Sequence, residues 1–259
     1  MIKKLMKYDL IWINKFMLIY FSITGILTIL TKISEIFNSS FVGNIIYLVL
    51  RGCLISAFVS VLINCVIRIW VRFNNNLYKD ESYLTHTLPV EKNTLYNSKI
   101  ISSVLSLLLS LIVIVICFMI VFLNNDLINV FKNIFSTTDG VIIFIGIVLI
   151  AILEFIYMMG CGLIGIILGN RSNNNKTIKS VFIGIASYFI IQIFIVIIAY
   201  LTSALNTDLN SLFTSNLSNI PNLSSIKMLI LIVNILYIIF ITCMYFIGKK
   251  IFNKGVNVE

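Results

Sequence analysis

Six apolar runs, at about 16–33, 44–70, 100–123, 141–168, 179–203 and 227–247, constrain this sequence more than anything else in it. Each reaches the roughly 17–25 residues that a helix needs to cross the hydrocarbon core of a bilayer. Backbone polar groups in lipid must be satisfied within their own segment, so runs of this kind are read as helices. Neither proline, Pro89 or Pro221, falls within a run, so no span carries a proline kink. Hydrophobic residues make up 59% of the 259 positions and charged residues 11%, with a mean hydropathy of +1.05. Soluble domains average about 45–50% apolar and about 25% charged, which excludes that class here. The expected fold is therefore an all-α membrane protein with six transmembrane helices in one domain over residues 1–259.

Orientation follows from the distribution of Lys and Arg. With both termini cytoplasmic, the inner segments hold Lys3, Lys4, Lys7, Lys15, Arg68, Arg72, Lys79, Lys92, Lys99, Arg171, Lys176, Lys179, Lys249, Lys250 and Lys254, fifteen of the nineteen basic residues. Lys32, Lys132 and Lys227 fall outside, and Arg51 lies within the second span. The net charge of +9 thus reflects topology and contact with anionic lipid headgroups, and nucleic acid is not an expected partner.

The flanks have a pattern of their own. In residues 1–15, Ile2, Leu5, Met6 and Ile13, continued by Phe16, follow helical spacing on one side, with Lys3, Lys7 and Asn14 on another. This predicts an amphipathic helix lying in the cytoplasmic interface. No small-residue cleavage site follows the first run, so a cleaved signal peptide is not expected. On the outer side, modest loops are expected after spans one and three. The longer outer loop at 204–226 is polar but carries Leu205, Leu209, Leu212, Phe213 and Leu217, a spacing that suits a short interfacial helix.

The residues needed for catalysis are missing. A single histidine excludes a two-histidine metal site, and there is no G-x-S-x-G nucleophile motif. Gly248-Lys249-Lys250 lacks the upstream glycine of a phosphate-binding loop, so any nucleotide hydrolysis belongs to another chain. The five cysteines lie in apolar runs without C-x-x-C spacing and read as small buried hydrophobes. No catalytic or metal-binding residue is expected.

Within the spans, Glu154 lies near mid-bilayer, where an ionised, unpaired carboxylate costs about 2.5–3.5 kcal/mol on insertion scales. It is either a structural carboxylate paired in the bundle or part of a substrate or proton pathway. Arg51 is the only basic residue well inside a span; at 1.5 Å per residue its depth differs from that of Glu154 by about 9 Å, within reach of a water-bridged pair. Gly162, Gly165 and Gly169 share one helix face and allow close helix packing.

One stretch between spans two and three has ordinary soluble chemistry: KDESYLTHTLPVEKN, residues 79–93. Asp80 is placed as an N-cap and Glu81 suits the first turn. Leu77, Leu84 and Leu88 then fall on one face of a short helix, with Ser82 on its flank. Pro89 ends that helix by disfavouring helical geometry at Leu88. A second helix is expected from near Glu91 through Leu95 and Lys99 into span three. A helix across the cytoplasmic surface with apolar teeth needs a partner.

The run from Asp80 through Tyr83, Leu84, Thr85, His86 and Leu88 to Val90, followed by Leu95 and Ser98-Lys99, resembles the segment after the second span of ABC-2-type transporter permeases, the membrane subunits of bacterial ABC exporters. The amphipathic N-terminal helix, six spans and a longer loop between spans five and six are similar to that family as well. The resemblance covers the whole chain in architecture and about twenty residues in sequence; Ser82 stands where many relatives have glycine, and Glu91-Lys92 where Ser-Arg is frequent. It implies that residues 77–98 are a coupling segment, with Leu77, Asp80, Glu81, Tyr83, Leu84, Thr85, His86, Leu88 and Pro89 docking on a separate cytosolic ATPase that holds ATP and magnesium. It implies two permeases, identical or different, and two ATPases per transporter in the bacterial plasma membrane, with no cofactor in this chain. A lipophilic or amphipathic cargo such as an antimicrobial peptide, lipid or drug would suit the apolar interior. Two other classes fit the residues: a non-transporting sensor or scaffold using the same loop, and an ion-coupled carrier using Glu154.

Overall fold

The computed structural model describes residues 2–37, 39–79, 81–87, 89–172, 174–205 and 223–254, and those residues are helical with short connectors. The helices are α1 (Ile2–Ile36), α2 (Phe41–Leu77), α3 (Ser82–Thr87), α4 (Lys92–Phe122), α5 (Asn125–Phe135), α6 (Thr138–Gly169), α7 (Lys176–Leu205) and α8 (Leu223–Asn253). Six of them are long and apolar enough to cross a membrane: α1, α2, α4, α6, α7 and α8. Each expected span falls within one of these, except that Leu123 lies one residue beyond α4. The helices outrun the spans because polar flanks continue the helical hydrogen bonding. At 1.5 Å per residue, about thirty residues make about 45 Å, enough to cross the core and enter both headgroup regions.

Residues 2–36 form one unbroken helix, so no boundary separates the expected interfacial helix of residues 1–15 from the first span. Its buried face starts at Asp9, Ile13 and Met17; of these only Ile13 belonged to the expected apolar side, and Asp9 had no place in the expected faces. Of the outer loop expected at 204–226, residues 204–205 end α7 and 223–226 begin α8, while 206–222 lie outside the described residues.

The chain divides into two compact units, residues 1–129 and 130–257. In the first, α1, α2 and α4 pack together and α3 leans on α2. The packing surfaces are lined with hydroxyls as well as aliphatics. α1 buries Thr24, Thr28, Thr31 and Ser34, and α4 buries Ser98, Ser102, Ser106 and Ser110 at every fourth position. Most of these hydroxyls donate to a carbonyl three or four residues back, for example Thr28 to Thr24 at 2.7 Å and Ser110 to Ser106 at 3.0 Å. Such a group is satisfied within its own helix, and its small size lets the neighbouring backbone come close. Leu54, Phe58, Cys117 and Val121 fill the apolar part of this core.

In the second unit, α6 packs on both α7 and α8. Gly165 and Gly169 lie against Ser180 and Gly184, antiparallel; a Cβ on Gly165 would sit 2.7 Å from the Gly184 nitrogen, and one on Gly169 2.5 Å from the Ser180 Cα. A Cβ on Gly184 would meet the Gly162 Cα at 3.4 Å, so the three glycines of α6 meet one face of α7. Asn234 of α8 donates to the Gly146 carbonyl of α6 at 3.1 Å.

α5 occupies the stretch where only a modest loop is expected after span three. Leu127, Ile128, Phe131, Ile134 and Phe135 fall at helical spacing on one side of it. The rings of Phe131 and Phe135 meet Phe144 of α6 edge-on at 5.7 and 5.6 Å, which ties α5 to the start of α6.

Candidate functional site

At the end of the first unit where α2 turns into α4, the chain buries a set of charges. Asp9 of α1 is 2% exposed and Lys99 of α4 is 5% exposed. Lys99 Nζ donates to both Asp9 oxygens at 2.7 Å, and Arg72 Nε of α2 donates to Oδ1 at 2.9 Å. The same guanidinium turns its NH1 group to Glu81, just ahead of α3, at 2.7 and 3.0 Å. Asn76 Nδ2 donates to the Glu81 carboxylate at 2.7 Å, and the Arg72 guanidinium lies 5.3 Å from the Trp12 ring centre. Two carboxylates and two cations balance: Asp9 and Lys99 are buried, Arg72 is nearly so, and Glu81 closes the cluster at its half-exposed rim; the charge-assisted bonds make burial of the inner groups tolerable. The result clamps three long helices and the connector at one point.

Charge counting along the sequence places Arg72 and Lys99 among the cytoplasmic flanks and gives Asp9 no role. A signal is nonetheless present. Asp9 is the only acidic residue before Glu35, set among Lys3, Lys4, Lys7 and Lys15. A lone acid at the start of a membrane-bound helix needs a partner from elsewhere in the chain.

The connector folds back on this clamp. The Tyr78 N–H closes α2 on the Asn74 carbonyl, the Glu81 carbonyl starts α3 by accepting from Thr85 N–H at 3.0 Å, and His86 Nε2 donates to the Leu77 carbonyl at 3.2 Å. α3 is inside out for a helix on a protein surface. It buries Ser82 and Thr85 and leaves Tyr83 76% and Leu84 69% exposed. α4 begins at Lys92 after Glu91, whose side chain makes no capping bond.

These positions redraw the expected docking face. Tyr83, Leu84 and Pro89 are exposed, whereas Thr85 points inward. Leu77 is a correction: it ends α2 with 0% exposure, so it does not share a face with Leu84. α2 ends at Leu77 and α3 starts only at Ser82, so the helical register that the spacing assumed is broken between them. Glu81 serves as an anchor to Arg72 rather than a first-turn acid, since α3 starts one residue later. Ser82 is also corrected, being 3% exposed rather than on an open flank. Asp80 and Leu88 lie outside the described residues.

Arg51 and Glu154 belong to different units. The Arg51 guanidinium stacks over the rings of Phe122 at 4.5 Å and Tyr47 at 5.9 Å. Glu154 Oε1 accepts from Tyr188 OH and Gln192 Nε2, both at 3.2 Å. Gln192 Nε2 also reaches Tyr237 OH at 3.4 Å, and Tyr157 OH donates to the Ser187 carbonyl at 3.0 Å. Among the described residues, no group of three or more His, Cys, Asp or Glu comes together as a metal site. What the first cluster offers is a rigidly mounted apolar contact; what the second offers is a polar patch on apolar helices.

Comparison of the chain with protein-family models, with curated proteins and with solved structures finds no match.

Proposed function

We propose that this chain is the permease subunit of an ATP-driven exporter of the ABC-2 type, docking a separate cytosolic ATPase through α3. The observation that carries this reading is the inverted character of α3: apolar Tyr83 and Leu84 outward, polar Ser82 and Thr85 inward. Exposed apolar side chains rimmed by polar ones on a connector are a mark of a partner surface. The resemblance of residues 80–99 to the coupling segment of that family names the partner.

The mounting suits the task. Glu81 and Asp9 share Arg72, so a displacement of α3 is passed to α1, α2 and α4 rather than lost in a slack loop. On this reading ATP closes the partner ATPases, the coupling segments move, and paired permeases rearrange around the cargo path. ATP and magnesium stay on the partner, the chain makes no bonds, and both termini lie in the cytoplasm of a bacterial cell. The cargo is lipophilic or amphipathic.

The test is co-purification in mild detergent with the candidate ATPase. Burying one leucine contributes roughly 1.5–3 kcal/mol. Each 1.4 kcal/mol is about tenfold in affinity, and a charge in an apolar groove adds to the loss, so Leu84→Asp is expected to weaken capture by about two orders of magnitude. Thr87→Ala, on the exposed side but without an apolar tooth, serves as the control in place of Ser82. Full retention of the ATPase by Leu84→Asp, at matched membrane expression, would set α3 aside as the coupling contact and favour the sensor or scaffold.

A further inference from the structure

Asp9 and Glu154 are held very differently. Asp9 has a cation on each oxygen at 2.7–2.9 Å. Glu154 has only neutral donors, both at 3.2 Å and both on Oε1, and among the described residues no Lys or Arg pairs with it. Its Oε2 accepts no hydrogen bond among those residues. Glu154 therefore has acceptor capacity to spare.

Its surroundings are aromatic. Tyr157 stacks on Tyr188 with ring centres 5.9 Å apart and tilts against Tyr237 at 6.0 Å, while Gln192 Nε2 links the Tyr188 and Tyr237 hydroxyls. Glu154, Tyr188 and Gln192 are each only partly buried, and the exposed residues near them in α6 and α7, Leu149, Phe189, Ile190 and Ile193, are apolar. An ionisable side chain on a spanning helix faces a bundle interior or a watered cavity rather than lipid, because the hydrocarbon cannot solvate it. A single carboxylate with tyrosine rings around it is the chemistry that recognises an organic ammonium ion, by charge at one point and cation–π attraction around it. The donor set is wrong for a divalent metal, which would need several carboxylates or imidazoles.

We propose that Glu154, Tyr188 and Gln192, backed by the buried Tyr157 and Tyr237, form a site for the ammonium head of a cationic amphiphile, whose tail lies along the apolar faces of α6 and α7. Calling that ligand a cargo rests on the exporter reading; the binding itself does not.

The full chain, purified without any ATPase and placed in nanodiscs of zwitterionic lipid, is titrated with a radiolabelled alkyltrimethylammonium ion. Saturable binding is expected that a tail-matched alcohol does not displace. Glu154→Gln should weaken it about tenfold or more, since a charge-assisted contact is lost while shape is kept, and Glu154→Asp should recover most of it. Tyr188→Phe should weaken it less than Glu154→Gln, because the ring face remains. Non-saturable uptake by the wild type, equal displacement by the alcohol, or unchanged affinity in Glu154→Gln would each overturn the proposal. The wild-type competition needs no variant to fold. Because no ATPase is present, failure here leaves the docking reading standing, and failure of ATPase capture leaves this one standing.

Discussion

At the scale of single residues, Asp9 carries more consequence than its position in a lysine-rich leader would imply. It holds Lys99 and Arg72 at once, and among the described residues Lys99 has no other carboxylate bonded to it. Removing one member of a buried ion cluster leaves an uncompensated charge and costs about 3–5 kcal/mol, whereas replacing the pair by apolar residues of similar volume is close to neutral. Asp9→Ala should therefore lower the thermal unfolding temperature of the detergent-solubilised protein sharply. The double change Asp9→Leu with Lys99→Met should recover much of it, because Arg72 keeps Glu81. An Asp9→Ala protein that melts with the wild type would show that the cluster is not a structural clamp.

At the scale of elements, the contact between α6 and α7 is decided by what is absent from the side chains. Gly165 and Gly169 leave no room for a methyl group, since the neighbouring atoms are the backbone of Ser180 and Gly184, which cannot swing aside. Gly165→Ala and Gly169→Ala are expected to cost on the order of 1–3 kcal/mol each by overpacking. Gly160 sits in the same helix with nothing within 4 Å of where a methyl group would stand, so Gly160→Ala should be neutral or stabilise by up to about 1 kcal/mol through helix propensity. Resistance to limited proteolysis in detergent, compared across the three variants, separates the two classes. Equal behaviour of Gly160→Ala and Gly169→Ala would contradict the close approach. The Lys227–Asp139 pair near the start of α8 and α6, 3.0 Å and only partly buried, should matter far less.

At the scale of the whole molecule, six helices long enough to span, with Lys and Arg concentrated on one set of connectors, predict a definite sidedness. With the five native cysteines replaced, Asn174→Cys and Asn253→Cys should resist a membrane-impermeant thiol reagent added outside intact cells. Asn133→Cys in α5 should react. Labelling of Asn174→Cys from outside would invert the orientation and place α3 on the wrong face for a cytosolic partner. The two units use different means to the same end: the first locks its helices with hydroxyl stripes and an ion cluster, the second with glycines and a tyrosine-lined glutamate.

The number of long apolar helices, their approximate limits and the stop at the connector were readable from composition and spacing, because the cost of an unsatisfied backbone in lipid leaves a long apolar run no other form. A second helix was expected to start near Glu91, and α4 begins at the next residue, Lys92. α5 escaped because an eleven-residue amphipathic helix resembles a polar loop until its phenylalanines meet Phe144. The ion cluster escaped for a deeper reason. Arg72 and Lys99 lie 63 and 90 positions along the chain from Asp9, and nothing local in any one of the three specifies the other two. Helical periodicity reports which face a residue lies on; which helix that face meets depends on how the bundle packs. The same limit applied to Leu77, whose spacing to Leu84 is helical in sequence but is interrupted in space by the turn that Arg72 holds through Glu81. Local hydrogen bonding determined the elements, and long-range packing alone determined which charges were buried together.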